Sequence, residues 1–113
     1  YNMEDTSDMT RQLMEEYLPE KGTPEELKRI SSDLHITEKF PPAYVMTAEG
    51  DFLREQAPYM YGKLKEKNVF CELHEYSSPK EKLMHVFHLN MRSEDAKRCN
   101  DDECEFFRRF IGR

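Results

Sequence analysis

Two side chains in this sequence have the chemistry of a proton-transfer site and a spacing that a fold can exploit. Asp51 follows the short apolar run Ala43-Tyr44-Val45-Met46-Thr47-Ala48, and His85 lies 34 residues further on, just after a second run at 69–76. A carboxylate that accepts a hydrogen bond from one imidazole nitrogen fixes the tautomer of the ring. The other nitrogen is then free to act as a general base. Taken singly, each residue also has a plain reading. Asp51 suits a helix N-cap or a turn, and His85 suits a surface or packing position in a loop. The pair says more than either member, because one β-α-β unit would set both loops side by side at the same sheet edge.

The elements that must position them follow from the pattern of residues. Phe40-Pro41-Pro42 forbids helix and forces an extended approach. The run 43–48 lacks polar alternation, which suits a strand buried on both faces, as in parallel sheets. Glu49-Gly50-Asp51 breaks that strand. The spacing predicts a helix over 55–67 with Ala57, Met60, Tyr61 and Leu64 inward and Pro58 in the first turn. Asn68 closes it, and 69–76 forms the second strand. Ser77-Ser78-Pro79 and the charges at 80–82 make a loop leading to Leu83-Met84-His85-Val86-Phe87. Ser93 then caps a long last helix carrying Ala96, Cys99, Phe106, Phe107 and Phe110 on one stripe, where Glu103 is the misfit.

Upstream, a helix starts at Thr6 or Ser7 after a frayed 1–5, with Met9, Leu13, Met14, Tyr17 and Leu18 on one face. Pro19 and Gly22 end it. A second short helix follows Thr23-Pro24, with Glu25 and Glu26 near its positive end and Leu27 and Ile30 inward. Residues 31–43 form an irregular connector. The chain thus divides into a helical segment with connector at 1–39 and an α/β part at 40–113. Strand, helix, strand, helix is a right-handed β-α-β unit with a helix to follow. Two parallel strands do not make a stable sheet alone, so the order reads as the terminal portion of a larger α/β sheet. Its functional groups belong outside the carboxyl ends of the strands, where Asp51 and His85 fall.

Composition narrows the classes. The 113 residues hold 23 acidic and 17 basic side chains, net −6, a balance that repels a phosphate backbone and argues against nucleic acid as a partner. No apolar run approaches the length that spans a bilayer, and the N-terminus lacks a signal-peptide pattern. Three cysteines are too few for a disulfide scaffold, which favours a reducing, cytoplasmic setting. Leu, Ile, Val and Phe total 22 residues and the mean hydropathy is −0.93, so the core is small. His85, His88, Cys99 and Cys104 have the ligand types of a tetrahedral zinc site. Cys99 and Cys104, however, are five residues apart and point to different faces of a helix, so no metal is expected.

Residues 40–113 resemble part of a known family, on motifs that lie between Pro41 and Phe87. Pro41-Pro42, then Thr47-Ala48-Glu49-Gly50-Asp51-Phe52-Leu53-Arg54, then Glu72-Leu73-His74-Glu75-Tyr76 and His85-Val86-Phe87 are similar to the C-terminal end of an α/β-hydrolase. The likeness is to the hormone-sensitive-lipase-like esterases and acetyl-esterase-type lipases. It implies that Asp51 is the acid and His85 the base of a catalytic triad, that small acyl esters are the substrate, and that no cofactor is needed. It also implies that residues 1–29 correspond to cap-side helices. The sequence departs from the family at Phe52, where proline is common after the acid, and at Val86, where glycine is usual after the histidine.

In that fold the order is Ser, acid, His, with the nucleophile in Gly-x-Ser-x-Gly. The only glycines are Gly22, Gly50, Gly62 and Gly112, so no pair has that spacing, and there is no His-Gly-Gly segment. Cys71 does not substitute, because a mid-strand side chain points into a sheet face. The resemblance therefore implies a C-terminal portion of a serine esterase or lipase, inactive alone, whose partner is the missing N-terminal part of the domain. The alternative is a non-catalytic oligomerising or interaction module derived from that fold, associating with itself through strand 43–48.

Overall fold

A computed structural model of the chain describes residues 8–111. The elements are α1 (Asp8–Tyr17), α2 (Pro24–Ile30), β1 (Ala43–Ala48), α3 (Gln56–Glu66), β2 (Cys71–Tyr76) and α4 (Glu94–Arg108). One-turn 3₁₀ helices occupy Ser32–Leu34 and Phe87–Leu89. The expected frayed start and the Thr6 or Ser7 cap lie outside the described residues.

β1 and β2 pair in parallel, from Ala43 opposite Cys71 to Ala48 opposite Tyr76, with α3 as the crossover. β1 occupies the expected residues. β2 starts two residues later than expected, for a local reason. Asn68 turns into the left-handed region at φ 58°, a conformation that Asn tolerates just beyond a helix end. Val69 then donates its N–H to the Leu64 carbonyl at 3.1 Å, which ties it to the end of α3 instead of the ladder.

Side chains along each strand alternate between the two sheet faces. On the α3 face, Val45 and Cys71 pack with Ala57, Leu64, Val69 and Ile36. On the α4 face, Ala48 and Tyr76 pack with Leu83 and Cys99, and fully buried Phe106 sets its ring edge-on to Tyr44 at 5.4 Å. α3 and α4 thus cover opposite faces of the two-stranded sheet. Ala57 and Leu64 are buried and Met60 and Tyr61 half-buried, so the α3 stripe lies inward as its spacing predicts.

The N-terminal helices differ from expectation. Met9, Leu13 and Tyr17 of α1 are exposed, as is Ile30 of α2. Periodicity identifies an apolar face but not what it packs against, and the sheet has both faces occupied by α3 and α4. The buried residue of α2 is instead Glu26, whose carboxylate accepts the N–H groups of Glu20 and Gly22, each at 2.9 Å. Thr23 caps α2, accepting the Glu26 N–H, and Pro24 takes the first helical position, in the first turn where proline is expected. Ser93 sits at the N-cap of α4, yet its hydroxyl donates to Glu81 at 3.2 Å and makes no capping bond.

Candidate active site

The edge formed by the carboxyl ends of β1 and β2 gathers the groups of interest. Past β1 the backbone turns at Glu49-Gly50-Asp51; past β2 it loops out and returns through Leu83-Met84-His85. Gly50 stitches the two together, its N–H donating to the Leu83 carbonyl at 2.8 Å in a parallel bridge to Met84. The close approach explains the glycine. A Cβ at position 50 would lie 2.7 Å from both the Leu83 carbonyl oxygen and the Met84 sulfur.

This stitching sets Asp51 against His85, with Oδ1 2.9 Å from Nδ1. The Asp51 side chain is 11% exposed and that of His85 41%. Asp51 is also a turn aspartate, since Oδ1 accepts the Leu53 N–H at 2.8 Å, and Oδ2 accepts the Thr47 hydroxyl at 3.4 Å. The plain reading of Asp51 and the chemical one therefore hold together: the bonds that make the turn also orient the carboxylate. The Phe52 ring meets the imidazole at 4.9 Å in an edge-on contact and restrains it from a third side. With Nδ1 as donor to Asp51, Nε2 carries the lone pair.

His85 is held from behind by an unusual backbone. Val86 adopts φ 54° and ψ 31°, the left-handed conformation, which a β-branched residue rarely enters. Glycine would take it without strain. From there the 3₁₀ turn Phe87–Leu89 leads on, and the His88 carbonyl accepts from Asn100 of α4 at 2.8 Å, which anchors the loop.

Asp51 and His85 line a cavity of about 300 Å³ together with Tyr44 and Met46 of β1, Val86, His88, and Glu103 and Phe107 of α4. Of these eight, the sequence marks only Asp51 and His85 as site residues; the two from α4 are the most informative additions. Glu103 breaks the apolar stripe of α4 because it faces this cavity, and Phe107 is exposed at its mouth instead of buried in the core. Behind the wall, Tyr44 and Tyr76 share a short hydroxyl contact, and Tyr76 donates to Asp102 at 2.8 Å. Burial pushes the Tyr44 phenol up to about 12 and the Cys99 thiol, also opposed by Glu103, up to about 12. Both stay protonated at neutral pH and neither is a nucleophile. Cys99 is buried and Cys104 exposed, so the two do not converge on one point.

A second polar cavity lies between β2 and α4, where Glu72 bonds His74 at 3.0 Å and pairs with Arg109. The hydrogen bond from His74, then Arg109, holds the Glu72 carboxyl below its ordinary range. No group of metal-ligating side chains occurs among the described residues, and none of their helices is long and apolar enough to cross a membrane.

Comparison with known proteins places this arrangement in context. Residues 2–89 match the model of a family described as having the alpha/beta hydrolase fold. No curated protein and no solved structure matches the chain.

Proposed function

Because the chain belongs to this α/β-hydrolase-fold family, we propose that it carries the acid and the histidine of a serine carboxylic ester hydrolase, an esterase or lipase acting on small acyl esters. The observation behind the reading is the 2.9 Å contact of Asp51 with His85, beyond the carboxyl ends of adjacent parallel strands and at the wall of a cavity. Asp51 accepts a hydrogen bond from the Nδ1–H and holds the ring. Nε2 removes the proton of a serine hydroxyl as that oxygen attacks the ester carbonyl, and returns it to the departing alcohol. Asp51, largely shielded from water, stabilises the imidazolium formed between these steps.

The serine comes from outside these 113 residues, in a Gly-x-Ser-x-Gly segment on a polypeptide that completes the sheet. β1 offers the edge for it. Ala43 and Glu49 donate their N–H groups to Phe70 and Tyr76, so the odd-numbered residues bond to β2 and the main-chain groups of Tyr44 and Met46 face the other way.

The test expresses the chain joined to whatever polypeptide its reading frame encodes upstream and follows hydrolysis of 4-nitrophenyl butyrate. Turnover should fall by about 10⁴ on Asp51→Asn, which favours the wrong tautomer. Hydrolysis by the joined protein that survives His85→Ala, or His85-dependent hydrolysis by residues 1–113 alone, overturns the proposal.

A further inference from the structure

The cavity beside His85 contains a carboxylate that the acid–base pair does not use. Glu103 sits among the inward positions of α4, between buried Cys99 and buried Phe106, where an apolar residue would fit the stripe. It accepts a hydrogen bond from the Cys99 thiol, Sγ to Oε1 3.6 Å, and among the described residues no lysine or arginine pairs with it. A carboxylate drawn partly out of water without a cation loses hydration that a neutral thiol does not replace.

The rest of the cavity sharpens the point. No lysine or arginine lines it. With both imidazoles neutral, Asp51 and Glu103 give it two negative charges; with both His85 and His88 protonated, it still has no net positive charge. Met46, Val86 and Phe107 supply apolar lining in the same cavity as Glu103, Asp51 and His85. A volume of about 300 Å³ accommodates a short alkyl chain with a polar group at each end. Such a ligand lays its alkyl part on that lining.

We propose that this site selects esters whose acyl or alcohol part carries an ammonium group, with Glu103 as the residue that binds the cation. The proposal rests on the reading of Asp51 and His85 as the ester-hydrolysing pair and adds the charge of the substrate. Glu103 is here a specificity determinant and takes no part in proton transfer. Anionic substrates, such as dicarboxylate monoesters, are repelled by the same two carboxylates.

The test is a charge series at fixed chain length, read by binding to residues 1–113 and so independent of any serine. Butylammonium, 1-butanol and butyrate are titrated while the Met46 methyl and His85 ring resonances are followed. Butylammonium should bind roughly fivefold tighter than butanol, the scale of a partly screened ion pair. Butyrate should bind more weakly than either. Glu103→Gln should bring butylammonium down to the level of butanol while the Asp51–His85 hydrogen-bonded proton remains. Equal binding of the ammonium and the alcohol by the unmutated protein, or a preference that survives Glu103→Gln and disappears with Asp51→Asn, overturns the assignment. Loss of esterase activity in the joined protein on other grounds would leave the charge preference intact, so the two proposals fail separately.

Discussion

Val86 gives the sharpest quantitative test of how the histidine loop is built. At φ 54° an L-residue costs about 1–2 kcal/mol relative to the right-handed region, because Cβ crowds the following carbonyl. Glycine escapes that cost but loses about 0.5–1 kcal/mol more than alanine in backbone entropy on folding. Replacing Val86 by glycine also removes a side chain that is 44% exposed, so the lost apolar burial is about 1 kcal/mol. The three contributions nearly cancel against valine. The informative comparison is therefore Val86→Gly against Val86→Ala, since both lose the two γ-methyl groups and only alanine retains the crowded Cβ. Glycine should be the more stable by about 0.5–1 kcal/mol, a reversal of the order found in helices and strands. For a domain of this size the melting temperatures should differ by several degrees, read by circular dichroism and checked by urea midpoints at unchanged m-value. Alanine matching or exceeding glycine would show that position 86 is not in the left-handed conformation, and the placement of His85 beside it would fall as well.

Gly50→Ala puts a methyl 2.7 Å from the Leu83 carbonyl and the Met84 sulfur, so the two loops must separate. It should cost about 1–3 kcal/mol in urea unfolding and weaken the Asp51–His85 contact, whereas Gly62→Ala, where a Cβ meets open space, should not. The depressed Glu72 carboxyl predicts an acid dependence. A group whose folded pKa lies below its unfolded value contributes stability above the unfolded value, near 4.3, and loses it as pH falls through the folded one. Glu72→Gln should therefore narrow the loss of stability between pH 5 and pH 3, measured as the shift in urea midpoint; an unchanged loss would contradict the His74–Glu72–Arg109 assignment.

What the sequence made legible follows from where local chemistry decides the outcome. Pro41-Pro42 and an unbroken apolar run fix β1 at Ala43–Ala48, and the stripe of Ala57 and Leu64 fixes the buried face of α3. One β-α-β unit then brings Asp51 and His85 to the same edge, as the spacing predicts. What the sequence hides depends on contacts remote along the chain. The apolar face of α1 is visible in Met9, Leu13 and Tyr17, but their exposure reflects a sheet already covered by α3 and α4. Burial of Glu26 depends on two orphan N–H groups in the preceding turn. The signal at Glu103 was present as a break in a stripe, and only the cavity shared with His85 gives it meaning.

The site depends on the Asp51 carboxylate holding the His85 imidazole with its proton on Nδ1. Nitrogen-15 NMR of ring-labelled protein reads this directly. A slowly exchanging, strongly deshielded proton should sit on His85 Nδ1 with Nε2 bare, and that signal should vanish on Asp51→Ala with the β1–β2 amide pattern unchanged. A proton on Nε2, or a Nδ1 signal indifferent to Asp51→Ala, would contradict it.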